Sequence, residues 1–322
     1  MVGLFVAHGG PALDPSFAQM VIATNERGAL IRAMPWVFVL IWSTGFVVAR
    51  FGMPHSPPLT FLSIRYALSL LCFGVWIRVA RVAWPRERVQ WAHLAVVGVL
   101  IQAGYLGGVW AAVKSGIGAG TVALLVGLQP VLTALWMSWR GSPAGDARAR
   151  VSLQQWFGLA LGLGGLTLVV WHKLGGGELT HWNLALAVFA LFSITIGTLY
   201  QKRFVARCDV RSASAIQLFA ALVVSAPLAL LETAPVVWDP QMIGAMVWSV
   251  LALTLGGSSL LYLLIQRGAA TEVTSLMYLV PPCTAALAWL LFGEAFTWSM
   301  ALGMLLTATG VALVVRTPMR SS

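Results

Sequence analysis

The chain is divided into ten apolar segments, each about as long as a helix that crosses a lipid bilayer. A helix rises 1.5 Å per residue, so about 20 apolar residues cover a hydrocarbon core of roughly 30 Å. Of the 322 residues, 59% are hydrophobic and 9% are charged, whereas soluble domains carry about a quarter charged residues. We therefore predict an all-α integral membrane protein with ten transmembrane spans at 35–52, 58–77, 94–113, 119–139, 153–171, 182–201, 212–231, 242–265, 273–292 and 296–315.

The Lys and Arg residues alternate between the two sides of this arrangement. Cytoplasmic loops carry an excess of Lys and Arg, and a cytoplasmic N-terminus puts 16 of the 20 cationic residues inside. The exceptions are Arg50, Lys114 and Lys173, which fall outside, and Arg65, which lies within the second span. We predict a multi-pass protein of the cell (inner) membrane with both termini in the cytoplasm. The net charge of +10 is spread between apolar runs, so it does not indicate nucleic-acid binding.

One segment occurs twice. Gly116 and Pro130 recur as Gly268 and Pro282, 152 residues later in each case. A second match, at an offset of 145 residues, pairs Gly158 with Gly303 and Gly165 with Gly310; Trp42-Ser43 aligns more weakly with Phe192-Ser193. Because each half holds five spans, an odd number, the second copy must enter the membrane from the opposite side. The duplication thus predicts two inverted repeats around a central cavity.

Several segments together resemble a known family. They are 41–50, 57–66, Gly116–Pro130, Gly268–Pro282 and Phe292-Gly293-Glu294 leading to Gly303 and Gly310. In this order they resemble the EamA-type members of the drug/metabolite transporter superfamily. The resemblance implies ten helices in two inverted halves that move small metabolites, such as amino acids or their derivatives, by alternating access. The expected division is an N-terminal extension (1–33), a first repeat (34–171), a second repeat (182–316) and a cytoplasmic tail (317–322).

The extension has three interpretations. It is a poorly ordered segment, a short surface helix, or a stretch that precedes a true start at Met20 or Met34.

Arg65 is the ionisable residue that lies deepest in a predicted span. Its long side chain could reach back to the membrane interface. Alternatively it faces the cavity and binds a carboxylate or phosphate, for which its planar donor fork is suited. No Asp or Glu occupies the middle of any span, which argues against a buried carboxylate that exchanges a proton for a cationic drug.

Further candidates are neutral polar and aromatic residues at depth, although helix-to-helix hydrogen bonds explain many such residues. Prolines in a helix free backbone carbonyls, so Pro130, Pro281 and Pro282 are candidate helix breaks or gates. With Arg65, the candidate substrate-binding residues are Trp42, Ser43, Gln102, Tyr105, Trp110, Gln129, Ser193, Tyr262, Gln266 and Tyr278.

The leading interpretation is a transporter, with export favoured over uptake. The alternatives are an intramembrane enzyme or a membrane receptor, but no HExxH motif, aspartate pair or Ser/His constellation is present. We expect no catalytic residue, metal site or cofactor, and as partners only a small-molecule metabolite and the lipid bilayer. Gly158 and Gly162 lie four residues apart, a spacing that lets helices pack closely. This packing could occur within a monomer or between the fifth and tenth helices of a homodimer.

Overall fold

The computed structural model describes residues 15–140, 153–174, 179–266, 279–294 and 297–316. All regular structure in these ranges is helical. The α-helices are α1 (Pro15–Gly52), α2 (Pro58–Val79), α3 (Arg88–Val97), α4 (Gly107–Lys114), α5 (Ala119–Val126), α6 (Gln129–Arg140), α7 (Leu153–Leu174), α8 (His181–Phe204), α9 (Val210–Ala229), α10 (Pro240–Trp248), α11 (Gly257–Gln266), α12 (Val280–Phe292) and α13 (Trp298–Arg316).

Six stretches of the described chain are long and apolar enough to cross a membrane, which confirms the all-helical membrane architecture. The other four predicted spans fall on α5–α6, α7, α12 and α13, which are not among these six stretches, so the count of ten stays a prediction. The six stretches are Ala33–Gly52, Pro58–Val79, Arg88–Lys114, His181–Phe204, Val210–Ala229 and Pro240–Leu260.

The first helix begins earlier than the sequence predicts. Helix α1 starts at Pro15 and continues through Pro35 to Gly52. Between these two prolines the chain has a single glycine, Gly28, and a lone glycine weakens a helix without ending it. The boundary predicted at residue 33 therefore falls within a continuous helix.

Two helices contain a π-helical segment that hydropathy did not reveal. The first segment, Gly98–Leu106, joins α3 to α4, and the second, Ser249–Gly256, joins α10 to α11. Such segments accommodate an extra residue in a helix and often occur at functional sites. They lie about 150 residues apart, close to the spacing of the repeat.

The predicted helix break near Pro130 lies slightly before that proline, and in the second half the structure describes only the start of the helix that contains Pro281 and Pro282. Helix α5 ends at Val126 and α6 begins at Gln129, so Pro130 is in the first turn of a new helix. Pro281 and Pro282 likewise lie in the first turn of α12, where a missing N–H is no loss. The residue after α5 contacts the first turn of α12, because a Cβ added to Gly127 would lie 3.0 Å from Cγ of Pro281.

Helices α7 and α13 pack against each other through glycines. A Cβ on Gly165 would lie 2.5 Å from the carbonyl oxygen of Gly303, and a Cβ on Gly310 would clash with the backbone of Gly158 and Gly162. The glycines predicted for close packing are thus used within one chain. Gly116 instead has φ +100° and lies in the turn after α4, so it is not part of a helix face.

Candidate functional site

Two adjoining cavities lie between the helices. The first, which we call the Arg65 cavity, has a volume of about 120 Å³. The second, the proline cavity, has a volume of about 80 Å³. A single water needs about 10–15 Å³ of such space, so each cavity is large enough for part of a small organic molecule. Trp42, Phe46 and Tyr105 line both cavities.

Arg65 is buried at the wall of its cavity rather than extended toward a membrane interface. Its side chain projects from α2, and the residue is only 7% exposed. Its Nε and Nη2 donate to Oγ1 of Thr254 at 3.2 and 3.0 Å. That hydroxyl donates in turn to the carbonyl of Ser249 at 2.9 Å, within the second π segment. The π segment therefore fixes the oxygen that holds the guanidinium.

The rest of the Arg65 cavity is mainly apolar and aromatic. Trp110 is fully buried, and its ring packs against Phe61 with centroids 4.4 Å apart. The backbone carbonyl of Gln102 accepts a 2.6 Å hydrogen bond from the hydroxyl of Tyr66, which ties the first π segment to α2. The complete lining is Trp42, Gly45, Phe46, Arg65, Ile101, Gln102, Tyr105, Leu106, Val109, Trp110, Leu253, Thr254 and Ser258.

The proline cavity lies between the break that precedes α6 and the first turn of α12. Gln129, Pro130, Pro281 and Pro282 all line it, together with Thr307 from α13. The side-chain amide of Gln129 donates to Oγ1 of Thr198 at 3.2 Å, which links α6 to α8.

Ser43 and Ser193 line neither cavity. Ser43 is fully buried and its hydroxyl donates to the carbonyl of Val39, while the hydroxyl of Ser193 donates to the carbonyl of Leu100. Both hydroxyls therefore satisfy helix carbonyls. Tyr278 and the side chains of Tyr262 and Gln266 lie outside the described residues.

Several lining residues were not among the candidates, and Thr254 is the most consequential. Thr254 lies 152 residues after the candidate Gln102. The offset of the repeat could therefore have identified Thr254 as the equivalent position in the second half. Phe46 and Ile194 could not be separated from ordinary core residues, because nothing in an apolar helix marks which face borders a cavity.

A sequence profile of the EamA-like transporter family matches residues 33–171 and 181–316. The two matched segments correspond to the two halves of the repeat, and together they cover most of the chain.

Curated relatives match nearly the full length at low identity. A probable amino-acid metabolite efflux pump of Salmonella typhimurium is 25% identical over 86% of this chain and 92% of the relative. Its namesake in Escherichia coli is 24% identical over the same shares. The uncharacterized transporter YvbV of Bacillus subtilis is 25% identical over 90% of this chain and 92% of its own.

A solved crystal structure has the same fold. It superposes with a TM-score of 0.60 over 87% of this chain and 94% of that one, at 20% identity.

Proposed function

The chain belongs to the EamA-like transporter family and is a multi-pass membrane transporter, and we propose that it exports small metabolites, such as amino acids or their derivatives, by alternating access. The observation that carries this proposal is a pair of adjoining cavities, one of which lies where the break between α5 and α6 contacts the first turn of α12. Transporter sites commonly lie where discontinuous helices of two repeats meet. The efflux pumps among the relatives favour export over uptake.

Reciprocal contacts support the proposal that a two-fold axis relates the two halves, and the odd number of predicted spans in each half makes this relation an inverted one. Gly45 faces Leu253, and Gly197 faces Ile101; both partners of the second pair follow from the first by the 152-residue offset. A two-fold relation requires this pattern, in which residue i contacts j and the equivalent of j contacts the equivalent of i. This register also pairs Gly45 with Gly197, which differs by two residues from the weaker match of Ser43 with Ser193.

The glycine contacts of α7 and α13 repeat the same pattern at the other offset. Gly165 approaches Gly303, and Gly310 approaches Gly158. Under the 145-residue offset, each of these contacts is the image of the other. We propose that the first repeat spans residues 34–171 and the second 182–316, and that both termini lie in the cytoplasm, as the distribution of Lys and Arg predicts.

Three carboxylates join the halves on the side that the charge distribution predicts to be external. His55 Nδ1 lies 3.1 Å from Asp239 Oδ2. The carboxylate of Glu232 accepts from the backbone of Leu59 and Thr60, and that of Glu294 from the backbone of Ala119. We propose that these contacts close the external side in this conformation and separate when the site opens outward.

Counterflow in proteoliposomes tests transport directly. Vesicles that contain purified protein and an unlabelled metabolite should accumulate the same labelled metabolite from outside, and protein-free vesicles should not. Chemical conversion of a metabolite without counterflow of any member of an amino-acid and derivative panel would support the enzyme alternative instead. The direction is tested by comparing the metabolites excreted with and without overexpression, and an unchanged profile would contradict export.

A further inference from the structure

Arg65 carries a buried positive charge that no acidic residue of the described chain neutralises. Only 7% of its surface is exposed. Both of its side-chain hydrogen bonds go to the neutral hydroxyl of Thr254. None of the described carboxylates lines either cavity. A charge in a membrane interior is costly and usually pairs with an opposite charge or belongs to a functional site.

The guanidinium also keeps hydrogen-bonding capacity for a ligand. Its Nη1 donates to no group of the described chain, while Nε and Nη2 hold the fork in place against Thr254. Since Thr254 is itself fixed by its bond to Ser249, the orientation of the fork is set before any ligand arrives. A planar fork with free N–H groups suits a carboxylate better than a single neutral acceptor.

The cavity around this charge is built for an apolar body. Trp42, Phe46, Trp110 and Leu253 contribute apolar or aromatic surface, and Tyr105 contributes both a ring and a hydroxyl. The Tyr105 hydroxyl forms no hydrogen bond within the described residues, so it is available to a second ligand oxygen. Most of a ligand's surface would therefore contact rings and aliphatic groups, with one end at Arg65.

The lining contains no described carboxylate that would neutralise an ammonium group. A zwitterion that placed its carboxylate at Arg65 would hold its ammonium close to the guanidinium, and no described carboxylate would offset the repulsion. We propose that the Arg65 cavity selects small monocarboxylates that have an aromatic or branched apolar body and no ammonium charge. This inference rests on the proposed function, and it narrows the substrates of the same site from amino acids and their derivatives to derivatives that lack the ammonium group.

A series of phenyl compounds of similar size separates the contributions of charge. The members are 3-phenylpropanoate (anionic), 3-phenylpropanamide (neutral), phenylalanine (zwitterionic) and 2-phenylethylamine (cationic), with binding to purified protein measured by equilibrium dialysis. A charged hydrogen-bonded pair contributes enough binding free energy that we expect the propanoate to bind at least about tenfold more tightly than each of the others. Equal binding of the amide or of phenylalanine would overturn the proposal.

Variants assign the selectivity to Arg65. Arg65→Gln should bring the dissociation constants of the propanoate and the amide to within about twofold of each other. Arg78→Gln removes the same charge from an exposed position of the same helix and should leave the preference intact.

If Arg65→Gln does not yield folded protein, Arg65→Lys serves instead. This variant keeps the charge without the fork, and it should bind the propanoate more weakly while still preferring it to the amide. A preference for the propanoate that survives in Arg65→Gln, or that is unaltered in strength in Arg65→Lys, would overturn the role of Arg65.

Thr254 provides a test of positioning. Thr254→Val removes the acceptor of the Arg65 fork, whereas Thr254→Ser keeps a hydroxyl. We expect the valine variant to lose several-fold affinity for the propanoate, with little change for the amide, and the serine variant to bind like the unaltered protein. Equal losses for both ligands in the valine variant would indicate a structural role only and would contradict the positioning of Arg65 by Thr254.

The binding and transport proposals fail in different ways. Selective binding of the propanoate without counterflow in vesicles would contradict the transport proposal and leave the ligand class standing. Counterflow of phenylalanine or 2-phenylethylamine that is independent of Arg65 would support transport and overturn the ligand class.

Discussion

Glu232 shows how a single carboxylate can serve a helix other than its own. It lies three residues beyond the end of α9, yet accepts hydrogen bonds from the backbone N–H groups of Leu59 and Thr60 and from the Thr60 hydroxyl. The first turn of α2 has unpaired N–H groups and a positive dipole end. Because the N-cap residue Pro57 forms no capping hydrogen bond, Glu232 supplies the missing cap from the other half of the chain.

Replacement of Glu232 by glutamine should therefore destabilise the protein. Hydrogen bonds to a charged group contribute about 1.5–3 kcal/mol, and a neutral amide oxygen retains only part of that. We expect a lower midpoint in thermal unfolding in detergent. Glu87→Gln is the matched control, since Glu87 precedes α3 but forms no capping hydrogen bond. An equal shift in both variants would show that net charge, rather than the cap, is responsible.

The individual site residues were predictable where chemistry alone marks them. Arg65 stands out because a charge within an apolar span is costly and usually functional. Gln129 stands out because a proline follows it. Ser43 and Ser193 looked equally polar, but a hydroxyl in a helix can bond to a carbonyl one turn back or on a neighbouring helix. Only the packing determines whether such a group faces a helix or a cavity.

At the scale of elements, α7 and α13 pack in very close contact through their glycines. Gly165 and Gly303 approach so closely that a Cβ on either residue would lie within 2.6 Å of the other's carbonyl oxygen. Gly164, the preceding residue in α7, has open space around its Cβ position. Neighbouring positions of one helix thus differ completely in their tolerance of a methyl group.

This difference predicts opposite results for two alanine variants. Gly165→Ala must push the helices apart and should destabilise the protein by about 1–3 kcal/mol, as overpacking does. Gly164→Ala should be neutral or stabilising by up to about 1 kcal/mol, because alanine is the better helix former. Unfolding in detergent, followed by circular dichroism, measures both. A stable Gly165→Ala protein would contradict the close contact.

Elements with a strong composition signal were predicted well, while irregularities within them were not. The spans predicted at 58–77 and 94–113 correspond to Pro58–Val79 and Arg88–Lys114. The π segment inside the latter leaves no trace in hydropathy, because one additional residue in an apolar helix changes neither length nor composition noticeably. The helix break in the first half was predictable from proline chemistry, but it begins at Gly127 because proline is accommodated in the first turn of the following helix.

At the scale of the whole molecule, the proposed inverted arrangement predicts that equivalent loops lie on opposite sides of the membrane. Pro54 follows α1, and Ala206, 152 residues later, follows α8. Both positions are exposed. In a direct repeat they would lie on the same side, so their accessibility distinguishes the two arrangements.

Single-cysteine labelling tests this prediction. With Cys72, Cys208 and Cys283 replaced by serine, Pro54→Cys should react with a membrane-impermeant maleimide in intact cells, and Ala206→Cys should react only after the cells are permeabilised. The permeabilised sample is the control for reactivity. Labelling of both positions in intact cells would contradict the inverted repeat and the cytoplasmic placement of the loop between α8 and α9.

The contact between Gly127 and Pro281 has a consequence for kinetics. The end of α5 and the start of α12 have no room to move toward each other, because a single carbon added at Gly127 would already crowd the ring of Pro281. A tilt of α12 must therefore displace the end of α5 at the same time. We expect stopped-flow fluorescence of the exchange between inward-open and outward-open states to follow a single relaxation, rather than one rate for each half of the chain.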